Sequence, residues 1–442
     1  MRRPEDNELM SYTPKRQGIY YGWYVVIAAL FIGFTTVGAR NAFGIFVIPM
    51  SEEFGWSRST VSIAAALGVL VNGVSAPFMG GIFDRTGGRR LILITVLVIG
   101  GATILLSLTF HILFLVFMFG VVASLAMSGP SLSNTGALMA RWFRRRRTTA
   151  IGINAAALSL GGLVMVPFAM YLLQATNWRI AWVGLGMVVL TSLPLAFLFI
   201  HESPAKRGLQ PDGDPEPLKK DSGQPAPIRA GPLEVSRWAD SFRSAPIWQM
   251  SAAYFVCGTT TFILAVHFVP FALDRGVSPG MAATIFGFMM GLNILGSLGA
   301  GFLADRLGGT KNWLALVYLM RGVAYVLLLT IPSTAGLWAF ATVAGFSWVA
   351  TAPLTTTLTA DVYGLRALGT ISGVSFLFHQ VGGFCSVLLA GILYDVTGSY
   401  TLPFAIAGSL LFPAAISAFT IKERKYSVRY QVQATPAAAA GD

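Results

Sequence analysis

Long apolar runs alternate with short polar segments along most of the 442-residue chain. Each run holds about 20 residues, the helix length that crosses about 30 Å of hydrocarbon. Only a helix satisfies its own backbone hydrogen bonds in lipid over such a length, so each run predicts a membrane-spanning helix. The pattern predicts twelve spans, at roughly residues 22–49, 59–83, 91–109, 112–140, 149–173, 179–201, 247–273, 281–304, 312–331, 335–360, 368–394 and 401–421.

The segment 202–246 interrupts this pattern, because it is polar and rich in proline. It divides six spans from six and reads as a linker with little fixed structure. The fold class is therefore an all-α polytopic membrane protein made of two six-helix bundles. The first run is too long for the apolar part of a cleavable signal peptide. The expected order is a tail (1–21), a bundle (22–201), the linker (202–246), a second bundle (247–421) and a second tail (422–442).

The charges are few and unevenly placed. The chain is 55% hydrophobic and 11% charged, with a net charge of +12 and a mean hydropathy of +0.66. If both termini are cytoplasmic, 26 of the 31 Lys and Arg residues lie on cytoplasmic segments. External loops then carry only Arg58, Arg179 and Arg275. This positive-inside asymmetry predicts a multi-pass protein of the cell membrane with both termini inside, and it explains the basic charge without nucleic acid as a partner.

A short charged motif occurs twice. Segments 80–90 and 301–311 both read Gly-x-x-x-Asp-Arg-x-Gly-Gly followed by basic residues. Their aspartates, Asp84 and Asp305, are 221 residues apart, which is half of the chain. The repeat indicates two copies of one six-span unit, each with this charged hinge after its second span.

Twelve spans in two halves, a long central loop and the doubled hinge resemble the major facilitator superfamily. Three further segments resemble its monocarboxylate transporter and oxalate/formate antiporter branch. They are Tyr21-Gly22-Trp23-Tyr24, the segment 141–152 that enters span 5, and the segment 391–400 after span 11. The chain departs from that branch in span 8, where the usual carboxylate-binding arginine aligns with Ser297. The resemblance implies paired inverted repeats with substrate bound near the midplane between the halves.

The resemblance also implies a conformational role for the hinges. In the functional interpretation each hinge is a latch that holds the outward-facing state and breaks when the cytoplasmic side opens. The hinge aspartates can cap a neighbouring helix, and the hinge glycines permit close helix approach. The alternative is a topology anchor with no switching role. The residues in question are Gly80, Asp84, Arg85, Gly301, Asp305 and Arg306.

Ionisable residues inside the spans mark the candidate site, because a charge at bilayer depth is unfavourable unless it is buried in protein or lines a wet cavity. These residues are Arg40, Arg321, His267 and His379, and no carboxylate lies near the midplane. An arginine-lined cavity without a fixed counter-charge attracts anions. The substrate itself is then the missing partner of the arginine.

Arg40 lies in the external half of span 1, which lines the central cavity in the resembled fold. With Asn41 it offers a planar fork for a carboxylate; the alternative is an interhelical arginine near the external gate. His267 lies at a similar height in span 7, and Pro270 beside it favours a broken helix. His267 is a candidate for a coupling proton, or else a packing histidine at the rim.

The remaining candidates are the ionisable residues His379 and Arg321 and three amide residues, Gln380, Asn134 and Asn293. His379 with Gln380 is a candidate ligand or proton carrier in span 11, with interhelical bonding as the alternative. Arg321 lies in span 9, an outer support of the resembled fold, and is expected to have a structural role. Asn134 and Asn293 are weaker substrate-binding candidates, since amides in membranes more often join helices.

The inventory excludes enzyme and ATP-driven classes. There is no phosphate-binding Gly-rich loop with Lys-Ser/Thr, and Cys and His do not cluster with metal-ligand spacing. We therefore expect no cofactor, and a monomer in the lipid bilayer. The predicted function is secondary active transport of a small anion, a mono- or dicarboxylate, by proton symport or anion exchange. The alternatives are an efflux carrier for an amphipathic or toxic compound and a non-transporting membrane sensor.

Overall fold

The computed structural model describes residues 19–143, 147–213, 233, 235, 237–363 and 368–427. Throughout this part of the chain the regular structure is helical, without β-strands. Eleven helices are long and apolar enough to cross a membrane, and a shorter apolar helix, Ile112–Ala126, begins the remaining crossing. The prediction of twelve spans in an all-α membrane fold is confirmed. The central part of the predicted linker, 214–232, lies outside the described residues.

The crossings are numbered α1 to α12. In the first half they are α1 (Gly22–Asn41 and Phe43–Phe54), α2 (Arg58–Thr86), α3 (Gly88–Leu105), α4 (Ile112–Leu115, Val116–Ala123, Ser124–Ala126 and Leu132–Trp142), α5 (Arg147–Ala175) and α6 (Trp178–Leu190 and Ser192–Phe199). In the second half they are α7 (Ala245–Asp274), α8 (Pro279–Leu307), α9 (Thr310–Thr330), α10 (Thr334–Ser347 and Thr351–Tyr363), α11 (Leu368–Thr397) and α12 (Thr401–Ser409 and Leu411–Phe419).

The two halves repeat one packing scheme. In the first half α1 packs on α5, α2 on α4, and α3 on α6. In the second half α7 packs on α11, α8 on α10, and α9 on α12, which is the same set of pairs. The halves meet through α2 against α11 and α5 against α8. We call the side where α1 begins and α12 ends the terminal face, and the opposite side the far face.

The one helix break that the sequence predicts is absent from the structure. Sequence reasoning expects a break in span 7 at Pro270, but α7 is continuous over Ala245–Asp274, so this prediction is wrong. A proline at 270 leaves the carbonyl of Val266 without its intrahelical donor. That carbonyl lies where Gly44 of α1 approaches, since a Cβ added at Gly44 would stand 2.6 Å from it. Burial on all sides keeps α7 helical.

The two signature segments at the terminal face form one aromatic clamp. The Tyr20 hydroxyl donates to the Trp142 carbonyl at 3.0 Å, and the Trp23 and Phe143 rings lie 4.9 Å apart. The Trp142 indole donates to the His201 carbonyl at 2.8 Å. Gly22 is required there, because an added Cβ would lie 2.9 Å from the Phe143 ring. The clamp ties the start of α1 to the ends of α4 and α6.

We expect Trp142→Phe to destabilise the protein by about 1 kcal/mol more than Trp182→Phe, the net value of one buried hydrogen bond. Both tryptophans are buried, but the Trp182 indole nitrogen has no hydrogen-bond partner in the described part of the structure. The two changes remove the same atoms and differ in the bond lost. Unfolding by SDS titration in micelles measures the difference; equal losses would show that the indole bond contributes nothing.

Candidate functional site

The far face is closed by an ion pair between the two halves. Both guanidinium nitrogens of Arg58, at the start of α2, donate to Asp274 at the end of α7, each at 2.8 Å. The guanidinium also lies over the Tyr394 ring of α11, 3.8 Å from its centroid. The side chains of Arg58 and Asp274 are only 14% and 30% exposed. A two-pronged, half-buried pair of this kind is stronger than an ordinary surface ion pair.

Two amide bridges join the halves at the midplane. The Gln380 amide of α11 donates to the Val69 carbonyl of α2 at 3.1 Å. The Asn293 amide of α8 donates to the Ser159 hydroxyl of α5 at 2.7 Å. Gln380 and Asn293, predicted as substrate ligands, are thus engaged with protein in this conformation. Bridges of this kind must break or slide when the halves move.

The contacts between the halves are concentrated on the far-face side of the molecule. Among the described residues, hydrogen bonds that join the two halves lie between the far face and the level of Gln380 and Asn293. Close glycine approaches follow the same rule, as at Gly287 of α8, where an added Cβ would lie 2.9 Å from the Leu163 carbonyl. The structure is therefore held together at its far half.

Arg40 lines a small cavity between the halves, and it is the strongest candidate ligand. The cavity has a volume of about 30 Å³, roughly that of one water molecule. Its walls include Asn41 of α1, Gly68 of α2 and Phe262 of α7. Among the described residues no hydrogen-bond or ion-pair partner is found for the half-buried Arg40 guanidinium, which lies 5.7 Å from the Phe262 ring centre. An unpaired arginine at this depth is a ready anion site.

His379 lies on the other side of the same phenylalanine. Its ring is 5.6 Å from Phe262 and 4.7 Å from Tyr254. Its Nδ1 lies 3.1 Å from the Gln380 side-chain oxygen. Because that amide's nitrogen donates to a backbone carbonyl, its oxygen faces His379 and only accepts. The proton of neutral His379 therefore sits on Nδ1, and Nε2 is left as an acceptor.

Phe262 and Tyr254 were not predicted from the sequence as site residues. Both are aromatic residues within a span rich in apolar side chains, so nothing in their residue type separates them from packing residues. The signal that could have found them is helical register. Positions 254, 258 and 262 follow one another at i, i+4 intervals on one face of α7. Gly258, between them, meets the His379 backbone, because an added Cβ would lie only 1.8 Å from that carbonyl.

His267 is placed away from the cavity. It is fully buried, with Nδ1 3.1 Å from the Tyr400 hydroxyl and Nε2 3.0 Å from the Val387 carbonyl. Arg58 in turn lies over Tyr400, 5.2 Å from the ring centre. His267 thus supports the residues that close the far face instead of facing Arg40 across the cavity.

Arg321 and Asn134 are both bonded inside their own halves. The Arg321 guanidinium donates to Thr260 of α7 at 3.1 Å and to the carbonyls of Ser347 and Trp348, where α10 is broken. The Asn134 amide donates to the Ser128 and Gly129 carbonyls, at 3.1 and 2.9 Å, where α4 is broken. Each residue supplies hydrogen bonds that the helix interruption leaves unmade.

The hinges end α2 and α8 at the terminal face. Gly80 and Arg85 lie in the last turns of α2, and Arg306 lies at the end of α8. The side chains of Asp84 and Asp305, and residue Gly301, lie outside the part whose side chains are described. The close approach expected at Gly80 is not found within the described part of the chain, where an added Cβ would meet only the Asn134 side chain, at 3.9 Å.

Comparison with known proteins shows which family has this architecture. The family model of the Major Facilitator Superfamily matches residues 29–387. An uncharacterized MFS-type transporter of Bacillus subtilis (strain 168), YcxA, is 26% identical over 392 residues, covering 87% of this chain and 91% of the relative. Monocarboxylate transporter 13 of Bos taurus is 25% identical over 394 residues, covering 88% of this chain and 87% of the relative.

The solved structures agree on the fold. A bacterial homolog of the human lysosomal transporter Spinster, in an inward-facing and occupied conformation, superimposes with a TM-score of 0.71 at 16% identity. The match covers 95% of this chain and all of that one. The chain belongs to the Major Facilitator Superfamily. It is a multi-pass membrane transporter, which confirms the predicted class, and it is not an enzyme.

We expect Asp274→Asn to increase the fraction of molecules open at the far face about threefold to tenfold, as expected for losing a half-buried two-pronged pair. Spin labels on Ala175→Cys and Val396→Cys, one in each half, measure the opening as a longer distance component. Glu53→Gln is the matched control, because Glu53 pairs with Arg179 within one half, at 2.6 Å. Equal distance distributions for both variants would contradict the assignment.

Proposed function

We propose that this protein moves a small organic anion, a carboxylate, across the cell membrane by alternating access. The observation that carries the proposal is the Arg40 guanidinium, which lines a cavity between the halves and has no counter-charge among the described side chains. A carboxylate entering this cavity would replace water with two parallel charge-assisted hydrogen bonds. Asn41, in the same wall, adds a further polar group.

The proposed cycle opens and closes the two faces in turn. We infer that both termini are cytoplasmic, since most basic residues then lie inside. The far face is then external, and the described conformation is closed to the outside. The hinges at the terminal face act as latches of the opposite, outward-facing state. Breaking the Arg58–Asp274 pair and the midplane amide bridges accompanies the passage between the two states.

Coupling to protons is assigned to His379. It lies beside Phe262, which also contacts Arg40. An incoming carboxylate and a proton on His379 stabilise each other, so the two would travel together. His267 is the weaker candidate, because its two nitrogens already face Tyr400 and the Val387 carbonyl. Arg321, Asn134, Asn293 and Gln380 are assigned to holding helices.

A second candidate is export of an amphipathic compound. Aromatic rings surround His379, namely Tyr254, Phe262 and Phe376. An apolar or aromatic body would pack against such rings. Susceptibility of deletion and overexpressing strains to a panel of toxic compounds separates this reading from anion transport.

We expect Arg40→Gln to raise the KM for every transported acid about 10- to 100-fold, the value of one hydrogen-bonded charge. Uptake by proteoliposomes of a panel of mono- and dicarboxylates measures it. Arg40→Lys keeps the charge but loses the fork, so an intermediate KM is expected. Arg179→Gln, a far-face arginine outside the cavity, is the control. Unchanged KM in Arg40→Gln would refute the anion site.

We expect His379→Gln to lower uptake driven by a pH gradient on the order of tenfold, since the proton carrier is lost. Exchange of labelled for unlabelled substrate should persist, because exchange requires no net proton movement. Uptake with and without an imposed gradient, compared with exchange at equal pH, distinguishes the two. Gradient-driven uptake equal to that of the unchanged protein would contradict the role of His379.

A further inference from the structure

The hinge pattern Gly-x-x-x-Asp ends a third membrane-spanning helix, at the opposite face of the molecule. Gly391-Ile392-Leu393-Tyr394-Asp395 ends α11 at the far face, whereas the hinge copies end α2 and α8 at the terminal face. Four residues separate the glycine from the aspartate, so both lie on one side of the helix, about one turn apart. The third copy therefore presents a glycine and a carboxylate to the same neighbour.

That neighbour is the start of α2, which belongs to the other half. The Asp395 carboxylate accepts hydrogen bonds from the backbone N–H groups of Arg58 and Ser59, each at 3.0 Å. These are the first two residues of α2, whose N–H groups have no partner within the helix. The N–H of Thr60 donates to the Ser57 hydroxyl. The first turn of α2 is thus capped by Ser57 from its own half of the molecule and by Asp395 from the other half.

The glycine of the motif allows α11 to approach α2 closely enough for Asp395 to bond to its first turn. A Cβ added at Gly391 would stand 2.7 Å from the Ser59 Cα and 3.0 Å from the Ser62 hydroxyl. Any side chain at this position would push α11 away from α2 and lengthen the bonds to Asp395. The hinge glycine Gly80, by contrast, has room for a Cβ in this conformation.

A second helix cap shows what is unusual about this one. The Glu423 carboxylate accepts from the N–H groups of Thr310 and Lys311 at the start of α9, at 3.1 and 3.0 Å. Both partners of that cap belong to the second half, so movement of the halves leaves it intact. Asp395 and α2 belong to different halves, so the same movement must break their contact.

From this geometry we propose that Gly391 and Asp395 form a cross-half cap that sets the equilibrium between the states closed and open at the far face. The inference rests on the proposed alternating-access function. The negative charge of Asp395 lies at the positive end of the α2 dipole and favours the closed state. Asp395 is a positioning residue: it acts on the halves and does not contact the cavity.

The cap and the neighbouring Arg58–Asp274 pair are separable. The ion pair joins two side chains at a partly exposed position, so added salt weakens it. The cap joins a carboxylate to backbone groups that no side-chain substitution in α2 removes. Arg58→Gln therefore abolishes the pair but leaves the cap, and Asp395→Asn weakens the cap but leaves the pair.

The test measures access to the cavity from the far face and requires no substrate. Ala65→Cys, which lines the cavity, is introduced with Cys257→Ser and Cys385→Ser. Sealed vesicles with the far face outward are treated with a membrane-impermeant maleimide. We expect Asp395→Asn to raise the labelling rate about tenfold, because it loses the charge and replaces one of the two acceptor oxygens by an NH2 donor, and Asp395→Glu to restore part of it. We expect Gly391→Ala to raise it as well.

Matched controls separate the cap from general loosening. Glu53→Gln removes a far-face carboxylate that bonds within one half, and Gly299→Ala adds a Cβ where nothing lies within 4 Å. Neither should change the labelling rate. Labelling of Asp395→Asn and Gly391→Ala at the control rate would overturn the proposal. If Asp395→Asn fails to fold, Gly391→Ala decides alone. Raised labelling without transport of any acid would refute the proposed function and leave the cap standing.

Discussion

A guanidinium group inside a membrane must find hydrogen-bond acceptors, because lipid offers none. Two arginines of this transporter find acceptors in the protein, and a third does not. Arg321 donates to the carbonyls freed by the break in α10, and Arg58 donates to a carboxylate of the opposite half. For Arg40 no acceptor appears among the described residues. The first arginine joins helices within one bundle, the second joins the two bundles, and the third lines the cavity between them.

The same need for hydrogen-bond partners applies where the helices are interrupted. Breaks in α4 and α10 leave backbone carbonyls near the interior of the molecule without intrahelical partners. Amide and guanidinium side chains then satisfy those groups, as Asn134 does for α4. Irregular backbone at membrane depth is tolerated where protein lines it. Some polar residues in the spans therefore bond to backbone groups at helix breaks, and others face the cavity. The position of each residue determines which of these it does.

The sequence was sufficient for the fold, because apolar runs, basic loops and an exact half-chain repeat are properties of the chain itself. It also singled out Arg40, since a charge in a span is conspicuous, and the structure places this residue in the wall of a cavity. It failed where neighbours decide. His267 and His379 are alike as residues, yet one is bonded within its half and the other lies beside the cavity ring Phe262. Pro270 carried the chemistry of a helix break, but packing around α7 overrode it.

The aromatic clamp bears on how relatives of this transporter are compared. The two segments that gave the chain its resemblance to monocarboxylate carriers pack on each other at the terminal face, away from Arg40 and His379. Such a signature reports how α1 is anchored to its bundle. It describes the packing of the terminal face and not the lining of the cavity. Two carriers that share the clamp can therefore differ in the residues that line the cavity around Phe262.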